Sequence, residues 1–259
     1  MLTHSGGTAG SVIAGRLAKA DKSLQILIVE SGKDNLNDQT ISTPAFFMQS
    51  FAPGNPNVEI YIDSHPSKHL GGRQTVVPVG HVLGGGTSVN VMQYTRASAS
   101  DYDDWNTPGW KFKDLKPLFQ KVHLWGKRKV NKQSETYHVE PGQETHGYDG
   151  PMHVSNAGST QKLANQYIGV AKSHFGMEYV NDIMDFETAG SDKISNSPKW
   201  INPIDGTRSD AATAFIQPLR ATHPNLHLLL KTKVFRIIFN GTRATGVEIV
   251  AKYIHFNVC

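Results

Sequence analysis

The sequence contains a single cysteine, Cys259. One thiol excludes an internal disulfide framework and any cysteine-based zinc site; it leaves the compartment open but favours an intracellular chain. No apolar run approaches the ~20 residues that span a bilayer. No basic stretch followed by an apolar core marks a secretory signal, and Asn257-Val258-Cys259 is neither a peroxisomal address nor a prenylation box. Charge of one sign is scarce as well. The net charge is +4 and no stripe of Lys and Arg alternates with aromatics, which argues against nucleic acid as a partner, and no feature points to a membrane. The densest basic run, Lys127-Arg128-Lys129 with Lys132, sits in polar sequence and reads as a solvated loop. What is plentiful is turn chemistry. The chain has 24 glycines and 13 prolines in 259 residues, with 38% hydrophobic content, enough for one large core or two smaller ones.

The first turn comes at once. Ser5-Gly6-Gly7-Thr8-Ala9-Gly10 leads into a helix to about Ala20, and Leu24–Val29 is a continuous apolar run that reads as a buried parallel strand. A dinucleotide fold needs a tight turn after its first strand, backbone close to a pyrophosphate, and a helix N-terminus aimed at that charge. The G-x-G-x-x-G pattern falls here on Ser5, Gly7 and Gly10, and Glu30 ends the next strand, where an acid accepts from ribose hydroxyls. An unrelated strand–helix turn with an exposed glutamate fits the same residues.

Further along, loop-rich sequence runs to about Gly72. A strand follows at 73–79, and a helix at 114–123 with Pro117 in its first turn. Residues 124–150 read as a surface excursion, 150–156 alternates like a strand, and Leu163, Tyr167, Val170, Ala171 and His174 share one helical face before a Gly176 cap. The tail reads as strands at 226–230, 234–239 and 245–250. Asn240-Gly241-Thr242 is formally a glycosylation sequon, but Asn240-Gly241 between two apolar runs is a hairpin turn.

The second glycine cluster, "HVLGGGTSVN", has three consecutive glycines, Gly84 to Gly86, between Val82-Leu83 and Val89, Val91 and Met92. Backbone N–H groups can face a ligand there with no Cβ in the way, and the flanking apolar residues indicate a packed site rather than a loose loop. "SGGTAGSVIAGRLA", "LIVESG", "HVLGGGTSVNVMQYTRASASDYDDW" and "NLHLLLKTKVFRIIF", in that order, resemble the glucose–methanol–choline (GMC) family of flavin oxidoreductases, most of all its fungal alcohol oxidases.

The resemblance implies an α/β fold: a Rossmann-like FAD-binding domain with a shortened first strand, joined to part of an α+β substrate domain. Residues 1–122 and 205–259 would form the FAD-binding portion and 123–204 part of the substrate portion. FAD is the implied cofactor. Gly7, Thr8, Ala9 and Gly10 would lie against its pyrophosphate and Glu30 on its ribose. Val82 and the stretch Asn90, Val91, Met92, Gln93 would line the flavin ring, and Val234 would hold the adenine edge by its main chain. The implied reaction takes a primary alcohol and oxygen to an aldehyde and hydrogen peroxide, in a peroxisomal enzyme that can be a homo-oligomer.

The family's catalytic histidine is expected in a C-terminal half beyond Val250. The first strand, expected centrally in the parallel sheet, is reduced to Met1–His4, so the chain reads as a fragment that is inactive alone, with no catalytic residue assigned. Its twelve histidines show no metal-ligand spacing, and His138, His146 and His153 read as loop or strand-surface residues. A non-catalytic flavin-binding remnant or interaction module is the alternative. A nicotinamide-dependent dehydrogenase would leave residues 81–105 unexplained.

Overall fold

The computed structural model describes residues 2–3, 5–62, 65–126, 144–156, 162–185, 192–251 and 254–258. The chain divides into two compact units, Met1–Val91 with Asp210–Cys259, and Met92–Ser209. The basic run at 127–132, His138 and Cys259 lie outside the described residues.

The first unit begins with β1 (Leu2–Thr3), α1 (Thr8–Ala20) and β2 (Ile26–Val29). β2 is central in a parallel sheet, flanked by β1 and by β9 (Leu226–Leu229), with Ile26 opposite Leu226 and Leu2 opposite Leu27. Among the described residues β1 is thus an outer strand, not the central one expected. The helix on this sheet is built to approach closely. α1 buries Ser11, Ala14, Gly15 and Ala18, a stripe of small residues at helical spacing. A Cβ on Gly15 would sit 2.3 Å from the carbonyl oxygen of Phe215, at the end of α7 (Ala211–Phe215). Ile26, Ile28, Leu83, Ala212, Ile216 and Leu219 complete this core. Buried Asn225 ties its end: the side-chain amide donates to the carbonyls of Ala18, Asp21 and Leu24, at 3.1–3.3 Å.

A second sheet is antiparallel: β10 (Lys233–Asn240), β11 (Arg243–Ala251) and β12 (Ile254–Val258). Gly241 and Thr242 join β10 to β11, and only Gly241, the first central residue, has positive φ, +60°. That pattern is a type II′ turn. Beyond the turn, the expected end of strand structure near Val250 is extended by β12, which pairs with β11. In the segment taken for loop, β3 (Val58–Ile62) pairs with β4 (Val76–Gly80) as a two-stranded ribbon.

The second unit holds α5 (Phe112–Val122), β5 (His123–Trp125), its parallel partner β6 (Met152–Val154), and α6 (Lys162–Phe175). Tyr94, Trp125, Val154 and Met184 form its core. α5 starts at Phe112, so Pro117 lies inside the helix and not in its first turn. There it supplies no N–H to the helical ladder. α6 ends as its glycine demands: Gly176 has φ +67° and Met177 N–H reaches back to Ala171 O at 3.1 Å. Its buried residues are Ile168 and Ala171, whereas Leu163, Tyr167 and Val170 are exposed. The spacing located the helix but not its inward face.

Two glycines test this packing in opposite directions. Gly15→Ala should lower stability by about 1–3 kcal/mol, because overpacking forces α1 and α7 apart. Gly169→Ala, inside α6 with nothing within 4 Å of the added carbon, should raise it by about 0.5–1 kcal/mol. Urea denaturation of the two variants reads both signs.

Candidate functional site

The site of the first unit is assembled around the turn that feeds α1. Gly7 is the helix N-cap, so the N–H groups of Thr8, Ala9 and Gly10 open the helix without intrahelical acceptors, and the first bond in the ladder runs from Ser11 N–H to Gly7 O at 2.9 Å. The turn tolerates no extra bulk. A Cβ on Gly10 would lie 1.9 Å from Ser5 O, and one on Gly6 would lie 2.6 Å from Leu83 Cδ1. Ser5 stands where the pattern has glycine, and its Oγ accepts from Gly7 N–H at 3.1 Å.

The two glycine clusters, 76 and more residues apart, meet here. Gly84 N–H donates to Gly6 O at 2.7 Å, and the Thr8 hydroxyl donates to Gly84 O at 3.4 Å. Gly84 has φ +91° and Gly85 φ +57°, the left-handed region that favours glycine, and a Cβ on Gly85 would come within 2.8 Å of Gly7 Cα. The hydroxyls of Ser88 and Thr87 cap the carbonyls of Leu83 (2.9 Å) and Gly84 (2.7 Å), so the loop's polar groups are satisfied from within.

Glu30 fastens the assembly. It is 5% exposed. Its Oε2 accepts from Gly6 N–H at 2.8 Å, and its Oε1 accepts from Gly32 N–H at 2.9 Å and from the Ser31 hydroxyl at 3.3 Å. Each carboxylate oxygen offers two acceptor positions, so Oε2 keeps one free.

Beside this turn opens a cleft of about 470 Å³. Ser5, Gly7, Glu30 and Gly85 form one wall, Glu59, Tyr61 and Val79 of the β3–β4 ribbon another, and Lys233–Ile237 of β10 a third. A bulge shapes the β10 wall. Val234 pairs with Ile249 and Arg236 with Glu248, a register shift that sets Phe235 at the bulge, where it stands 66% exposed. Val234 itself packs its side chain on Val29, Val247 and Ile249 while lining the cleft.

The sequence-chosen residues thus divide. Gly7, Glu30 and Val234 line one cleft, and Thr8, Ala9 and Gly10 form the helix end beside Gly7. Val82 is fully buried beneath it, bridging to Lys33. Asn90 ends the short helix α3 (Gly86–Val89), and Val91 is exposed; neither lines the cleft. Met92, with φ +58°, and Gln93 open the second unit. Tyr61 and Phe235 were missed, since exposed aromatics on a short ribbon and a bulge carry no periodic signal.

The second unit has a polar centre of its own. His123 Nε2 lies 3.0 Å from His146 Nδ1, and His146 Nε2 lies 3.0 Å from Asp182 Oδ2. Burial pushes His123 down to about 4 and lowers His146 against the pull of Asp182, and it pushes the Tyr94 phenol up to about 12. This corrects the reading of His146 as a loop or surface residue: it is 1% exposed. It lies in an irregular segment, where sequence gives no periodicity to reveal burial. His153 is half-buried on β6.

A glycine cradle at a helix N-terminus, with an acid ending the next parallel strand, defines a nucleotide-binding α/β unit. The comparisons name the family. The GMC oxidoreductase family model matches residues 1–256, and the chain belongs to that family. It is 39% identical over 250 residues to Alcohol oxidase 2 of Komagataella phaffii, covering 96% of this chain and 35% of that protein. The Alcohol oxidase of Candida boidinii is equally similar, 39% over 250 residues, at 96% and 35% coverage. The chain therefore spans about a third of the length of these relatives. Among solved structures, an FAD-dependent oxidoreductase from Chaetomium thermophilum superimposes with a TM-score of 0.85 at 25% identity, over 99% of this chain and 43% of that one. Pyridoxine 4-oxidase from Mesorbium loti shares the fold, with a TM-score of 0.81, 24% identity and coverage of 99% and 47%. No helix among the described residues is long and apolar enough to cross a membrane.

The clamp is open to test. Glu30→Gln places an amide that donates where two backbone N–H groups also donate, and so strands a buried donor. The expected loss is about 1–3 kcal/mol, read as a lower urea midpoint at unchanged slope.

Proposed function

We propose that this chain is the FAD-binding portion of an oxidoreductase that acts on the CH–OH group of primary alcohols with oxygen as acceptor, giving an aldehyde and hydrogen peroxide. The observation that carries the reading is the cleft itself. Gly7, the N-cap of a helix whose first N–H groups have no intrahelical acceptor, lines it together with Lys233, which suits a pyrophosphate, and Tyr61, Phe235 and Ile237 line it too, which suits a flat apolar ring. The alcohol-oxidase relatives support the substrate class, and the Chaetomium thermophilum structure supports the cofactor.

FAD fits the residues present. Gly7, Thr8, Ala9 and Gly10 would face its pyrophosphate, and the spare acceptor position on Glu30 Oε2 would take a ribose hydroxyl. Val234 would meet the adenine edge by its main chain, in the cleft that Tyr61 and Phe235 also line. Val82 and the stretch Asn90, Val91, Met92, Gln93 would serve the flavin ring. When bound, FAD supplies the acceptor for the hydride that leaves the alcohol carbon. The chain's own residues hold and orient it: the cradle excludes side chains from the phosphate, and Glu30 fixes the turn that presents the helix end.

Equilibrium titration of the purified chain with FAD, FMN and NAD tests the reading. FAD should bind saturably, FMN at least tenfold more weakly because it lacks the adenosine, and NAD not measurably. Binding of NAD with no binding of FAD would overturn it. Tyr61→Ala should weaken FAD about tenfold, since aromatic stacking on a base contributes about 1–3 kcal/mol. Ser5→Gly should leave FAD affinity unchanged or improve it, because the Gly7 N–H that now serves Ser5 Oγ becomes free for phosphate.

A further inference from the structure

The second unit buries a chain of titratable groups that the cofactor reading leaves unused, and the hydrogen-bond directions count its protons. His123 Nδ1 lies 2.8 Å from the carbonyl oxygen of Phe119, which can only accept, so Nδ1 carries a proton. Gly147 N–H donates to His123 Nε2 at 3.1 Å, so that nitrogen is bare. His123 is therefore neutral, in keeping with the burial that pushes it down to about 4.

His146 Nδ1 faces the bare nitrogen of His123 at 3.0 Å, where two lone pairs would repel, so it too carries a proton. Its other nitrogen, Nε2, stands 3.0 Å from Asp182 Oδ2, while Asp182 Oδ1 accepts from Met184 N–H at 2.9 Å. One proton lies between Nε2 and Oδ2, and the imidazole, the stronger base of the two groups, takes it. Two protonated nitrogens make a cation. We infer that His146 is a buried imidazolium paired with the Asp182 carboxylate, a bound proton that joins β5, the 144–147 segment and the turn at 182–184.

The surroundings suit a cation. The Trp125 ring lies 4.4 Å from the His146 ring and Tyr94 5.4 Å from it, presenting electron-rich aromatic systems. The charged and titratable groups that act on the pair are His123, Arg96, Tyr94 and Tyr148. Arg96 alone among them opposes the charge; its guanidinium is engaged by the Tyr94 ring at 5.5 Å and by donation to Thr145 O at 2.6 Å. Burial lowers His146 even with Asp182 beside it, and against that stands the need of its contacts for a proton on each nitrogen. With Asp182 ionised, no neutral arrangement of the two rings satisfies the contacts to Phe119, Gly147 and Asp182 together, and the counter-charge is within hydrogen-bond reach.

Long-range ¹H–¹⁵N NMR of the whole 259-residue chain, labelled on its histidine rings, reads each nitrogen separately, with His146→Gln as the assignment control. No FAD is added, so the outcome is independent of the cofactor reading. At pH 7 His146 should show two protonated nitrogens, and His123 one protonated and one bare. Asp182→Asn should return His146 to a neutral ring. A wild-type spectrum with a bare nitrogen on His146 overturns the inference whether or not the Asp182 variant folds. An imidazolium that survives in Asp182→Asn overturns the pairing.

Discussion

The first unit depends on one carboxylate. Glu30 stands at the end of the central parallel strand and accepts from the N–H groups of Gly6 and Gly32, two backbone segments that no side chain could otherwise bring to it. By fixing Gly6 it fixes the N-terminus of α1. Through Gly6 O and Gly84 N–H it also fixes the second glycine loop. The glycines are what permit this: a Cβ at Gly6, Gly32 or Gly85 would fall 2.2–2.8 Å from neighbouring atoms. Helix end, cradle and cleft wall are consequences of the same close approach.

The two units use buried acids differently. Glu30 lines an open cleft and keeps an acceptor position to spare, which suits an exchangeable ligand. Asp182, 4% exposed, has both oxygens in hydrogen-bond contact with protein groups, which suits a permanent internal contact. The difference lies in whether the neighbouring wall is glycine and ribbon or packed aromatic core.

Much of this was legible in the sequence because the physics there is local. The first glycine turn located α1, a continuous apolar run located β2, and glycines marked the turns at Gly176 and Gly241. What was not legible depends on distant partners. β3 was taken for loop because an exposed strand shows no core pattern, whereas its partner β4 coincides with the strand read at 73–79. His146 owes its burial to Trp125, Tyr94 and Asp182, none of them near it in sequence. The role of Phe235 follows from a bulge that only the pairing with β11 creates.

The central claim is that the start of α1 is an anion site completed by FAD. Amide hydrogen exchange at Thr8, Ala9 and Gly10 tests it most directly, because these N–H groups have no intrahelical acceptor. In the free chain they should exchange rapidly, and saturating FAD should slow them by at least tenfold, while Asp21 N–H at the far end of the helix changes little. Saturable FAD binding with unchanged exchange at all three amides would contradict the account.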